Sequence, residues 1–426
     1  MFTGKLCLVV CLCALAQQKE PKDAREYELY NAVVKDFASM DPAKALSDLD
    51  AWKQAYPESS FKIERECLYV QAYGDSNQPE KAIAAGSVLI ASGVKIDTPS
   101  LLRVLFTSVT AIRRISSATA DQMEFAEWAA RRIETFEKPD NVTAEAWAKA
   151  SSELRAAATD ALLYIEISRS AAARSRNDCP EAEAAAHRAI VVYSDSVQAA
   201  WYLGMAELCL QKNDPKRALV AIWEFSRAAA IDPVKGKIDA KWQKEVAAPN
   251  LERIYDQYHG VDMEGLARLK AMSLTSPMPP ADFTIASARE IAQRKQAAFE
   301  TKFPEIALWT RIKAQLSGPA GEEYFISGLK DSALPRLRGV IVAAKPPCRP
   351  YQLLVAVKMP DEATMPPAEI ALKLDKPLSG AVVVGSEFGF EGVPATFTPN
   401  PFMLTMDVEI RQIDGLDLHV CSAQKK

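Results

Sequence analysis

Histidine is nearly missing from this chain: only His187, His259 and His419 occur in 426 residues. They stand far apart, and none belongs to an HExxH or His-x-x-x-His arrangement, so the usual helix-borne zinc sites are excluded. No GxSxG elbow is present for serine chemistry. A surplus of charge is missing too. Lys and Arg number 51 against 55 Asp and Glu, a formal charge of −4. That balance removes the main reason to expect nucleic acid or an anionic membrane as a partner. Long apolar runs are also lacking, and beyond the N-terminus none approaches the roughly 20 residues needed to cross a bilayer.

What is present begins with an exported-protein signature. Lys5 precedes an apolar core from Leu6 to Leu15, and Ala14-Leu15-Ala16 supplies a small-x-small cleavage pattern. Residues 1–16 therefore read as a signal peptide, and the mature chain is expected in a periplasmic or extracellular setting. Cys7, Cys11 and Cys13 follow Leu6, Val10 and Leu12, poor neighbours for a lipobox, so cleavage after Ala16 is favoured over a lipid anchor. Five cysteines then remain: Cys67, Cys179, Cys209, Cys348 and Cys421. The preferred disulfide is Cys348 with Cys421, which flank one β-rich segment; the other reading buries all five as small hydrophobes.

From residue 17 to about 276 apolar residues recur at three- and four-residue spacing, the period of helices. Tyr27, Tyr30, Val34 and Phe37 mark one face of the first. Asp41-Pro42 caps and opens the second, with Leu46, Leu49 and Trp52 on its inner side. Further helices are expected over Leu101–Ile115, Met123–Phe136, Ala144–Ile167 and Leu251–Tyr258. Ser276-Pro277-Met278-Pro279-Pro280 breaks the pattern. Residues 277–333 read as a Pro-rich break followed by linker helices, with a capping box at Ser287 to Glu290. From 334 to 426 the period becomes that of strands. Five are expected, at Leu337–Ala344, Gln352–Val357, Glu369–Leu374, Val382–Phe390 and Phe402–Ile410, with proline and glycine breakers between them.

One spacing recurs among the helices. Ala221, Phe225, Ala228 and Pro233 place a small residue, a large one four later, a small one three on, and proline five beyond. Ala45, Leu49, Trp52 and Pro57 repeat it with Trp where a small residue is usual. Ala82, Gly86, Leu89 and Val94, like Ala182, Ala186, Ala189 and Ser194, repeat it without proline. The pattern resembles the second helix of tetratricopeptide (TPR) repeats, helix pairs of about 34 residues. Leu203-Gly204, in AAWYLGMAEL, is similar to the family's first-helix pair. Trp201 stands one position later than the family's tryptophan, and Gly204 to Ala221 runs about five residues longer than usual. The resemblance implies an α-solenoid of TPR-like hairpins whose first helices line a binding surface, with Gln198, Trp201 and Met205 as groove-lining positions. A packed-core role for Trp201 and Met205 stands beside that reading. The C-terminal strands, with Gly339, Gly385, Gly389 and Gly392 among them, are similar to an OB-fold barrel. From Asp331 onward ten basic residues face eleven acidic ones, so the basic groove of a single-strand binder is missing.

Few candidates for chemistry emerge. His187, beside Arg188, reads as a solvated histidine. His419 near Cys421 makes at most an incomplete metal pair. The expected function is therefore that of an exported, non-catalytic interaction protein of the cell envelope, without cofactor or metal, engaging a protein or peptide. The alternatives are a self-associating structural component and, behind it, an unfamiliar enzyme acting on cell-wall or polysaccharide material.

Overall fold

The computed structural model describes residues 19–140, 142–360 and 362–421. The expected signal peptide lies outside them. Two compact units divide the chain, one running to Ile285 and the other starting at Ala286.

The first unit is an α-solenoid of TPR-like hairpins. Its pairs are α1 (Ala24–Ala38) with α2 (Pro42–Ala55), α3 (Lys62–Asp75) with α4 (Pro79–Ala91), and α5 (Thr98–Ile112) with α6 (Ala120–Glu134). Next come α7 (Ala144–Ser175) with α8 (Cys179–Val192), and α9 (Val197–Leu210) with α10 (Arg217–Ala230). A short α11 (Ala240–Trp242) runs through a π turn into α12 (Ala248–Tyr258), and α12 and the following α13 (Met263–Ser273) both pack on α10. The starts are fixed locally. Asp23, Asp41, Asp97, Thr119, Thr143, Asp178, Ser196 and Asp262 each accept a hydrogen bond from a backbone N–H of the first turn. Proline fills an early position of α2, α4, α5 and α8, where no N–H is needed.

The TPR-like spacing marks the buried seam. Ala45, Leu49 and Trp52, Ala82 and Leu89, Ala182, Ala186 and Ala189, and Ala221, Phe225 and Ala228 are all in the core. A Cβ on Gly204 would stand 3.0–3.1 Å from the Phe225 ring, so glycine there lets α9 and α10 cross closely. Each second helix packs on its partner and on the next first helix, as α2 does on α3 and α4 on α5. Successive first helices also meet, α3 on α5, α5 on α7 and α7 on α9. A further repeat lies in the turns. Ser39-Met40-Asp41, Ser76-Asn77-Gln78 and Arg176-Asn177-Asp178 each join a pair in three residues. The middle residue of each is left-handed, with φ of 59°, 55° and 60°.

Two expectations for this unit need correction. The buried side of α1 carries Glu26, Val33 and Asp36, while Tyr27 and Val34 are exposed. Glu26 takes an inner position because its carboxylate accepts from Trp52 Nε1 (3.1 Å) and from the Lys22 N–H (2.6 Å), which turns the helix by one residue. The Pro-rich segment is not a linker. Trp223 Nε1 donates to the Ser276 carbonyl (3.3 Å), and Met278, Phe283 and Ile285 pack into the helical cores, so the unit closes at Ile285 rather than 276.

The second unit opens with α14 (Ala288–Lys302), whose capping box at Ser287 and Glu290 is formed, and α15 (Pro304–Leu316). Its small β-barrel uses β1 (Leu334–Lys345), β2 (Gln352–Ala356), β3 (Ile370–Leu374), β5 (Glu387–Pro399) and β6 (Phe402–Val408), with β4 (Ala381–Val382) lying in the chain between β3 and β5. The order is β1-β2-β3-β6-β5, and β5 pairs back onto β1, closing five strands. The β3–β6 pair is parallel, from Ile370 opposite Leu404 to Leu374 opposite Val408. The remaining pairs are antiparallel. The short β7 (Ile413–Asp414) pairs antiparallel with β5, and β8 (Leu418–His419) pairs with β4. Trp309, Ile312 and Leu316 of α15 seal the barrel core against Ile341, Val355, Phe390 and Leu404. The fourth expected strand is two, because Gly385, at φ 90°, turns the chain between β4 and β5.

Cys348 and Cys421 form a disulfide with Cα atoms 5.7 Å apart. Their separation of 73 residues makes the bond worth about 4 kcal/mol in the chain-entropy model. Replacing both by serine is expected to raise hydrogen exchange across β1 and β4, while α3 to α6 keep their protection.

Candidate functional site

The first-helix side of the array is where the expected contact residues stand. Ser196 caps α9 through the Ala199 N–H (3.1 Å) and sets Gln198 on the exposed side of the first turn. Trp201, one turn on, is only half-exposed. It stands edge-on between Phe225 and Trp242, each ring centroid 5.2 Å away. Met205 is likewise half-buried in the cluster around Phe225, Leu251 and Leu266. Gln198 thus presents an exposed polar side chain, while Trp201 and Met205 offer one flank and use the other for packing.

A polar cluster missed in the sequence is centred on α7, another first helix. Asp160, midway along α7, pairs with Arg113 at the end of α5 (2.9 Å) and with Lys237 from the loop after α10. Lys237 also lies over the Tyr193 ring at 4.6 Å, and the Tyr193 hydroxyl donates to the Lys235 carbonyl (2.8 Å). Separations of up to 77 residues hide such a cluster from local patterns.

Three of the buried carboxylates, Glu166, Glu207 and Glu224, are tied to arginines. Glu166 of α7 pairs with Arg169 and Arg188, both at 2.8 Å, and Arg169 reaches Glu127 of α6 at 2.7 Å. Glu207 accepts from Arg217 Nη1 at 3.1 and 3.2 Å, and the same nitrogen pairs with Glu183. Burial pushes the Glu207 carboxyl up to about 7 against the pull of Arg217. Glu224 is fully buried beside Arg227 (3.0 Å), and burial raises it to about 8, again against its arginine.

The sign of that shift gives a pH dependence. Below about 4.5 the Glu224 carboxyl is protonated folded or unfolded, and stability is at its full value. As pH climbs toward about 8 the unfolded chain releases the proton first, so stability falls through that window. Urea unfolding at pH 5, 6, 7 and 8 is expected to show this decline, and Glu224→Gln to make it shallower, with Glu207, also raised by burial, supplying the remainder. A variant whose decline parallels that of the native chain would place the effect elsewhere.

His187, on α8, comes beside Glu183 (Nε2 to Oε1, 3.8 Å) and Glu207, with one ligand atom of each of the three within 4.8 Å of the others. His259 lies 3.5 Å from Asp262 and against the Tyr255 ring. His419 sits in β8, and Cys421 beside it is in a disulfide, so the two make no thiolate–imidazole pair. Cys179 and Cys209 form a second disulfide, with Cα atoms 5.9 Å apart. Cys67 is a buried free thiol, pushed up to about 12 by its burial. The second disulfide was open to inference, because antiparallel packing puts the start of α8 beside the end of α9.

No protein-family model matches the sequence, and no curated protein does. Among solved structures, the TPR2AB-domain:pHSP90-complex of yeast Sti1 is similar at 13% identity and a TM-score of 0.22, over 59% of this chain and 98% of that one. A likeness of that size carries no argument, and the TPR-like architecture rests on the helix packing described above.

Proposed function

We propose that the helical array is a docking surface for a protein or peptide outside the cytoplasm, and that the chain carries out no reaction of its own. The observation that carries this reading is the contact between successive first helices, α3 on α5, α5 on α7 and α7 on α9. Between α3 and α9 the second helices approach one another less, so this stretch of the array closes toward its first-helix side and leaves a concave face there. Gln198, the flanks of Trp201 and Met205, and the Asp160–Lys237 cluster supply mixed polar and aromatic contacts, the composition that suits a peptide or protein surface. The arginine partners of the buried carboxylates favour structural roles for those acids. The signal-like N-terminus favours export and a place in the cell envelope. The barrel's closure and its single parallel pair, β3 with β6, support the OB-like reading of the second unit.

A gentle crosslinking pull-down with the full chain from envelope extract tests the reading. One protein enriched at near-stoichiometric yield, from a chain that is monomeric by light scattering, is the expected result. Recovery of nothing but the bait counts against docking. A dimer or higher species in light scattering would replace it with self-association.

A further inference from the structure

Glu183 and His187 lie four residues apart, on one face of α8, and Glu207 faces them from α9. Two carboxylates and an imidazole are ligands that first-row divalent transition metals share. Their donor atoms lie within 4.8 Å of one another. In a tetrahedral site with bonds of about 2.1 Å, ligand atoms stand about 3.4 Å apart. Turning one side chain closes that difference, and His187 is the one able to turn: its side chain is 38% exposed and, among the described residues, its nearest recorded polar contact is the 3.8 Å approach to Glu183.

Two further observations show that this place is built for positive charge. Arg217 Nη1 pairs with both Glu183 and Glu207, so a cation already occupies the space between the carboxylates. Glu207 is 1% exposed, a carboxylate held inside the array for that cation. Arg217 is itself a third exposed and has a second acidic neighbour in Asp214, 4.0 Å from its Nε, to which it can withdraw. The frame is fixed. Cys179 lies one turn before Glu183 and Cys209 two residues after Glu207, and the disulfide between them pins the two ligand-bearing helices together.

We propose that Glu183, His187 and Glu207 form a site for a divalent transition metal, with Zn²⁺ as its probe, in which the metal exchanges with the guanidinium of Arg217. Water completes the coordination. The metal would lock α8 to α9, the first helix of the next hairpin and the one that carries Gln198, but its binding does not depend on the docking role.

The metal-stripped full chain is titrated with ZnCl₂ in competition with a chromophoric chelator. His187→Gln, Glu183→Gln and Arg217→Gln are compared with the native chain after circular dichroism shows each folded. His187→Gln is expected to fold, since the ring is exposed. It and Glu183→Gln should each weaken the Zn²⁺ equivalent at least about tenfold. Arg217→Gln should tighten it, because a competing cation is gone. No bound Zn²⁺ at about 100 µM overturns the site, and so does an equivalent that survives His187→Gln unchanged. If Arg217→Gln does not fold, the other two variants decide.

Discussion

Arg227→Ala should destabilise the helical unit by about 3–5 kcal/mol, with the damage centred on α10 and residues 276–285. The side chain is 3% exposed. Its Nη1 donates to Glu224 Oε2 (3.0 Å) and to the Pro277 carbonyl (3.2 Å), and its Nη2 donates to the Ser194 carbonyl. One guanidinium thus ties the turn before α9 and the Pro-rich segment to α10. Truncation leaves the buried Glu224 carboxyl without its donor, a loss of about 1–3 kcal/mol, and frees the carbonyls of Ser194 and Pro277, whose residues are exposed and whose loss is at the lower end, about 1 kcal/mol each. The Trp223 Nε1 bond to Ser276 and the packing of Met278, Phe283 and Ile285 remain, so 276–285 is expected to loosen rather than detach. Arg227→Lys is the control, since it keeps the charge but cannot aim a planar fork at three acceptors. It should recover less than half of the loss. Hydrogen exchange by mass spectrometry reads both variants: 276–285 and α10 lose protection while α3 to α6 keep theirs. Unchanged protection at 276–285 in Arg227→Ala would mean the segment is held by something else.

The second large effect is a sign reversal at Gly204. Phe225→Ala is expected to cost about 3–5 kcal/mol, as for a fully buried ring. In the native background Gly204→Ala adds a Cβ 3.0–3.1 Å from that ring. The squeeze should outweigh the roughly 1 kcal/mol of helix propensity gained, for a net loss of about 1–2 kcal/mol. With Phe225 already cut to alanine the same methyl fills space, and Gly204→Ala becomes stabilising by about 1 kcal/mol. Urea unfolding of the four proteins completes the cycle. Additive losses would show that α9 and α10 do not cross on this pair.

The Gly204–Phe225 contact also shows what could be read from the sequence. Small and large residues at four- and three-residue spacing are a local signal, and in four hairpins they mark the buried seam. The Asp41 cap and the box at Ser287 were legible for the same reason, since a cap needs only three or four consecutive residues. The face of α1 was not. Glu26 goes inside because Trp52, twenty-six residues on, offers it a donor, and a hydropathy pattern places an acid outside. The strapping of 276–285 depends on Arg227 and Trp223 and cannot be seen from prolines alone. Asn77 and Asn177 were a readable sign of left-handed turns, and with Met40 they give the repeat a second marker. Glu183, His187 and Glu207 meet only because α8 and α9 are antiparallel neighbours. His187 in isolation looks like a solvated side chain.

The most direct test of the docking role is position-resolved photo-crosslinking on the full chain. A photoreactive side chain is placed at Gln198, on a first helix, and separately at Val191, an 87% exposed position on a second helix. The docking role requires one discrete adduct with the same partner from position 198 and none from 191. Equal labelling from both positions, or labelling from 191 alone, would contradict it.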